Sequence, residues 1–261
     1  MPSELIDAHC HLAHGRLRQL LPGVLARARA AGVTRVICAA GSVHESRAAL
    51  AVARAEEGVR CLAGVHPHEA KDAAAGYLAA IEALAGEPAN VAVGEIGLDY
   101  HYDLSPRDVQ RRVFAEQLAL ARKLGKPAVI HTREAFDDTL AVLAESGLDA
   151  ARAVLHCCTE PPDNLRRALD IGAAVSFSGI VTFASAGYLR ESAALVPDER
   201  LLVETDGPYC SPQPVRRMKT NEPANVVHVA ACLAAVRHVS VETIAAVTTA
   251  NAERFFGLPG G

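Results

Sequence analysis

Short apolar runs alternate with stretches of helical periodicity along nearly the whole chain. Leu5-Ile6-Asp7-Ala8-His9-Cys10-His11 alternates apolar and polar positions, which predicts a strand with Asp7, His9 and His11 on one face and Cys10 on the other. A helix is expected over 17–31, closed by Gly32, then an apolar strand over 34–40, with Gly41-Ser42 opening a second helix. The unit repeats. A strand over 59–65 ends in Gly64-Val65-His66-Pro67-His68, a helix follows over 73–85, and 91–96 is the next strand. The clearest helix has Ser105 as its cap and Pro106 at its first position. Its apolar stripe is Val109, Val113, Phe114, Leu118, Ala121 and Leu124, and Gly125 closes it. Strands are expected over 127–131, 153–156, 173–177 and 200–206. Helices are expected over 134–145, from Pro161-Pro162 to Gly172, and through the tail over 223–256.

Alternating strands and helices argue for a parallel sheet, and about eight units match a (β/α)8 TIM barrel. An open doubly wound sheet is the alternative. It would gather polar residues near one switch point, whereas here they recur at the C-terminal ends of strands spread over the whole chain. No linker or low-complexity tract divides residues 1–261, so one domain is expected. The stretch over 209–225, rich in Pro, Arg and Lys, reads as a long loop over the same face.

Composition narrows the function. With 26 Lys and Arg against 30 Asp and Glu, the surface as a whole is not built for a polyanion, so any nucleic-acid contact must be local. Seven cysteines, an odd number with no Cys-x-x-Cys pair, read as free thiols in a reducing, cytoplasmic setting. Pro2-Ser3-Glu4 leads directly into a polar-tipped strand, so no signal peptide is expected, and no apolar run reaches membrane-spanning length.

The candidate chemistry lies at the strand ends. Glu95 sits in the apolar run Val91-Ala92-Val93-Gly94-Glu95-Ile96-Gly97-Leu98. An acid in a strand covered on both faces must be paired, protonated or bound to a cation. His66, His131 or His156 alone would read as a hydrogen-bonded structural residue, and Asp206 as a salt-bridged acid. Together they would require several unpaired buried polar groups, each costing on the order of a few kcal/mol. A shared metal cluster removes that cost. Carboxylates plus imidazoles without thiolates suit zinc, manganese or magnesium, with iron also compatible.

Seven motifs then occur in order: Asp7-x-His9-x-His11, Gly64-Val65-His66-Pro67-His68, Gly94-Glu95-Ile96-Gly97-Leu98-Asp99-Tyr100, Ile130-His131-Thr132-Arg133, His156-Cys157, Ser176-Phe177-Ser178-Gly179 and Glu204-Thr205-Asp206-x-Pro208-Tyr209. This set resembles the TatD-related metal-dependent deoxyribonucleases of the amidohydrolase superfamily. The resemblance implies a TIM barrel with two divalent metal ions. His9, His11 and Asp206 would hold one ion and His131 and His156 the other, with Glu95 between them. Asp7 would orient a histidine through its free ring nitrogen. His66, His68 and Arg133 would sit beside the substrate phosphate, with Tyr100 on the rim. Two ions roughly 3.5 to 4 Å apart activate a water and stabilise charge on phosphorus and leaving oxygen, with Asp206 as the general base.

The activity so implied is phosphodiester hydrolysis, exonucleolytic, on single-stranded or nicked DNA ends. No membrane and no obligate protein partner is expected. Arg133, Arg216, Arg217 and Lys219 are the expected phosphate clamps, and Tyr100, Tyr102 and Tyr209 the expected stacking aromatics. The alternative is an amide or ester hydrolase of the same superfamily, such as an aminoacyl-tRNA deacylase. Two stretches depart from the family pattern. Cys158-Thr159-Glu160-Pro161-Pro162 follows His156-Cys157 where an aromatic residue and a Ser-Gly pair are usual. Arg216-Arg217-Met218-Lys219-Thr220 replaces a glycine-containing basic loop.

Overall fold

The chain folds as βα units, each an apolar run whose strand is covered by a helix with buried apolar positions. A computed structural model of the chain describes residues 4–260. Residues 2 and 3, part of the stretch from which no signal peptide is expected, lie outside them. Eight strands, β1 (Leu5–Cys10), β2 (Val33–Cys38), β3 (Val59–Ala63), β4 (Asn90–Asp99), β5 (Ala128–Arg133), β6 (Ala153–Leu155), β7 (Ala174–Phe177) and β8 (Leu201–Val203), pair in parallel and in sequence order. The seam between first and last closes at their C-terminal ends. Asp206 N–H donates to His9 O at 2.9 Å and His11 N–H to Gly207 O at 2.7 Å. The result is the expected TIM barrel, and its closure is made by the residues of the candidate site.

The helices are α1 (Gly15–Arg18), α2 (Leu21–Ala30), α3 (Val43–Ala55), α4 (Tyr77–Ala85), α5 (Arg107–Leu124), α6 (Phe136–Ser146), α7 (Pro162–Asp170), α8 (Gly187–Leu195), α9 (Val226–Arg237) and α10 (Val241–Phe256). Every strand contributes to one apolar cluster: Ile6, Ile37, Leu62, Ala92, Val129, Val154, Ala174 and Leu202, joined by Ala252 and Phe256 of α10. Val113, Phe114, Leu118 and Ala121 of α5 pack with Val93, Ile96 and Ile130 of the neighbouring strands. Phe114 is fully buried there, and a large-to-small change at such a site costs about 3–5 kcal/mol.

Several boundaries differ from the sequence expectation for local reasons. The 17–31 helix is two pieces, because Pro22 has no N–H to continue a helix through it and sits instead in the first turn of α2. Residues 73–76 are not helical. A 3₁₀ turn over Pro67–Asp72 precedes them, and α4 starts after Gly76, whose φ of 88° is left-handed. Ser105 does not cap α5. Its Oγ donates to His68 O and accepts from Lys71 N–H, both at 3.0 Å, and Pro106 takes the cap position. The tail breaks at His238, and α8 had no counterpart in the expectation.

Candidate metal centre

Glu95 is the centre of the arrangement. It lies on β4, 3% exposed, at the level where β4 runs close to β5. Gly97 makes this approach possible: at φ 140°, an added Cβ would sit 2.0 Å from His131 O. The two carboxylate oxygens of Glu95 face different groups. Oε2 is 3.3 Å from His9 Nε2 and 3.5 Å from His11 Nε2, and Asp206 Oδ1 stands 4.0 and 3.6 Å from the same two nitrogens. Oε1 is 2.8 Å from His156 Nε2, 3.3 Å from His131 Nδ1 and 3.2 Å from His66 Nε2. Ligands about 2.0–2.2 Å from a common zinc-sized ion would be separated by about these distances.

The second ring nitrogens sort the histidines. His156 Nδ1 is 3.1 Å from Glu204 Oε1 and His131 Nε2 is 2.9 Å from Asp99 Oδ2, so a neutral ring at either position would keep its proton on that carboxylate side and leave the nitrogen facing Glu95 free to bind a cation. His66 is the opposite case. Its Nδ1 accepts from His68 N–H at 3.1 Å, so the neutral ring carries its proton on Nε2, the nitrogen that faces Glu95. Burial lowers its pKa to about 4 against the pull of Glu95, so the ring stays neutral and acts as a donor.

His9 tests whether a cation fits. The residue is fully buried, its ring stacks on His156 at 4.0 Å between centroids, and neither ring nitrogen has a hydrogen-bond partner. Burial and His156 lower its pKa, which leaves a free lone pair. An unpartnered polar group buried this way costs about 1–3 kcal/mol, and a divalent ion among His9, His11, Glu95 and Asp206 removes that cost. Burial opposes ionisation of Glu95, but His156, His66 and His131 outweigh it and hold its carboxyl well below the usual range. Burial likewise opposes charge on Asp206, yet His11, by hydrogen bond and charge, and then His156 hold it low. Donor types and spacing therefore suit divalent ions on both sides of Glu95.

All six residues expected as metal ligands, His9, His11, Glu95, His131, His156 and Asp206, converge here. Asp7 does not do what was expected. Its carboxylate accepts from Thr205 N–H at 2.9 Å and from the Thr205 hydroxyl at 2.5 Å, holding β1 to the turn after β8 rather than gripping an imidazole. The orienting carboxylates are Asp99 and Glu204, for which no such role was expected. Glu204 had a readable signal, since it ends the apolar run Leu201-Leu202-Val203 just as Glu95 interrupts its own.

The cluster opens into a cavity of about 1160 Å³ lined by His66, His68, Tyr100, Tyr102, Arg133 and Tyr209, among others. His68 Nε2 shares Asp99 Oδ2 at 3.0 Å, and the Arg133 guanidinium lies 4.7 Å from the centre of the Tyr102 ring. Tyr100 has its hydroxyl tied to Asp138 at 2.6 Å and its ring covered by Arg107 at 4.3 Å. Arg216, Arg217 and Lys219, expected as clamps, do not line the cavity. Arg216 packs over Phe183 at 3.9 Å, and all three residues are exposed on a loop pinned by Ser211 to Met218 O and by Gln213 N–H to Thr182.

A family model described as TatD related DNase matches residues 6–257. The chain belongs to the TatD-related DNase family. Among TatD-family relatives, the uncharacterized metal-dependent hydrolase YcfH of Escherichia coli K12 is 40% identical over 256 residues, covering 97% of this chain and 95% of that protein. A Klebsiella pneumoniae protein named 3'-5' ssDNA/RNA exonuclease TatD is 38% identical over 239 residues, 90% of this chain and 91% of its own length. The crystal structure of YJJV, a TatD homolog from E. coli K12, superposes with a TM-score of 0.93 at 27% identity, covering 99% of this chain and 100% of that one. The chain is thus a metal-dependent hydrolase of the TatD family.

Proposed function

We propose that the protein is a divalent-metal-dependent exonuclease acting on the ends of single-stranded or nicked DNA, and on RNA by the same phosphodiester chemistry. The observation that carries the reading is the convergence of five histidines and Asp206 around the two oxygens of Glu95, with His9 unpartnered, at the inner wall of a cavity open to solvent. Divalent ions held there supply Lewis acidity and lower the pKa of water. The family and the name of the Klebsiella relative support a nucleic-acid substrate.

The chain's own residues then have distinct tasks. Glu95 holds the two sides of the centre at fixed separation. Asp206 takes the proton of the attacking water. Its carboxyl is held below the usual range, so it passes that proton to solvent through the open cavity. His66 donates from Nε2 to the oxygen that gains charge on phosphorus. His68 and Arg133 offer donors to the neighbouring phosphate, and Tyr102, 54% exposed, offers a face on which a terminal base stacks.

One observation favours a second reading, hydrolysis of an ester or amide on the same centre. Arg133 is the only Lys or Arg among the described residues lining the cavity, beside Glu45, Glu69, Glu134 and Glu160. The deciding experiment is a metal-dependent assay on end-labelled single-stranded DNA and RNA beside an acyl-ester and amide panel. Stepwise loss of terminal nucleotides is expected. Cleavage of the ester or amide panel alone would overturn the nuclease reading.

A further inference from the structure

Asp206 uses only one of its oxygens on the histidine side. Oδ1 faces His9 and His11, while Oδ2 is turned the other way, 3.4 Å from Cys210 Sγ. Cys157 Sγ completes the group, with the three donor atoms within 4.8 Å of one another. In a tetrahedral zinc site with Zn–S of about 2.3 Å and Zn–O of about 2.0 Å, a sulfur and an oxygen ligand stand about 3.5 Å apart and two sulfurs about 3.8 Å. We propose that Cys157, Cys210 and Asp206 form a second kind of cation site, for one thiophilic divalent ion such as zinc or cadmium, and that filling it inhibits hydrolysis by taking Asp206.

The pair of thiols is not an accident of packing like the other five. Cys10, Cys38, Cys61 and Cys158 are buried within a core cluster, the first three with the thiol near a backbone carbonyl, and Cys232 is half-buried with its thiol near Val181 O. Cys157, Asp206 and Cys210 all border the cavity, so an ion reaches them from solvent. All three have left-handed φ, at 42°, 53° and 52°, which is half of the six non-glycine residues in that region among the described residues. Such backbone costs about 1–2 kcal/mol per residue and is held by its surroundings. Glu204 Oε1 accepts from Cys157 N–H at 2.7 Å. On the other side Gly179 leaves room for the loop, since a Cβ there would lie 1.9 Å from Cys210 O. The backbone frame thus brings the three donors together, and the Cys210 thiol adds a contact to Asp206 Oδ2. Ser178 Oγ, 3.0 Å from Cys157 Sγ, can donate to the thiolate.

The mass balance is simple: the ion enters, both sulfurs bind as thiolates, and two protons leave to solvent. Magnesium and manganese have little affinity for thiolate, so with manganese in the oxygen and imidazole centre the two thiols stay free for a soft ion. Binding stands on geometry alone, and only the inhibition rests on the hydrolase reading. The reduced protein, supplied with manganese, is titrated with cadmium. Thiolate-to-cadmium ultraviolet absorption and hydrolysis are followed together. The expected band saturates at one cadmium per chain as activity falls. In Cys210→Ser the band is lost and half-inhibition needs at least about tenfold more cadmium, whereas Cys232→Ser behaves as the parent. Alkylation mapping of the unaltered protein gives a readout independent of any variant: cadmium protects Cys157 and Cys210 and leaves Cys232 reactive. Absence of the band, an equal band in Cys210→Ser, or no protection overturns the site. A band with unchanged activity overturns the inhibition while leaving the hydrolase reading untouched.

Discussion

The two sides of Glu95 are built by different means. On the side of β5 and β6, His131 and His156 each have the outer ring nitrogen held by a buried carboxylate, Asp99 or Glu204, so ring orientation is set before any ion arrives. On the side of β1 and β8, both ring nitrogens of His9 lack a partner. Alignment there comes from the backbone seam, Asp206 N–H to His9 O, and from Asp7 gripping Thr205. One side is positioned by side chains, and the other by barrel closure. The centre can therefore be damaged selectively: changing a carboxylate on the first side releases one histidine and the turn whose N–H groups it accepts, whereas the second side shares its support with the closure of the barrel.

The largest effect should come from the residue common to both. Glu95→Gln keeps shape but removes the charge that faces both histidine groups, so hydrolysis should fall by about 10³-fold or more. Metal content measured by elemental analysis should fall on both sides. A variant with full metal-dependent activity would show that Glu95 does not join the two sides.

Breaking one side alone is the next test. Glu204→Gln cannot hold His156 and Cys157 N–H together as a carboxylate does, and Asp99→Asn loosens His131 and His68. Each should weaken one ion by about 10- to 100-fold and leave the other in place. Equilibrium dialysis against a metal series reads this as one tight and one weak equivalent. Equal weakening of both would erase the distinction between the sides.

His66 faces Glu95 among the ligands, yet its tautomer presents a proton. His66→Asn should retain the metal content of the parent while turnover falls by about 10- to 150-fold, the range for losing a hydrogen bond of about 1.5–3 kcal/mol to a charged group. Loss of an ion instead would make His66 a ligand.

The strand ends were legible because a polar residue closing an apolar run is a conflict visible in one dimension. Glu95, His131, His156 and Asp206 all announce themselves that way. Side-chain partnership was less legible. Period two places Asp7 beside His9, yet the seam brings Thr205 closer to it, and seam geometry depends on the closure of eight strands. Ser105-Pro106 spells a helix start, but the Ser105 hydroxyl is taken by the 3₁₀ turn after β3, a contact 37 residues away in sequence. The helix over Gly187–Leu195 has a weak apolar stripe and no side-chain cap, which left little local signal.

The smallest effect concerns the loop that composition made attractive. Arg216, Arg217 and Lys219 carry the charge expected of a phosphate clamp, but they are exposed and outside the cavity. An exposed charge separated from the substrate by about a Debye length, near 8–10 Å at ordinary salt, is largely screened. Arg217→Ala with Lys219→Ala should therefore change kcat/KM on single-stranded DNA by less than about twofold at 0.15 M salt. Arg133→Ala, which removes a guanidinium inside the cavity, should raise KM by about tenfold. The contrast is read in one assay across a salt series. If the loop variant lost as much as Arg133→Ala, nucleic acid would be tracking the outer loop rather than entering the barrel mouth.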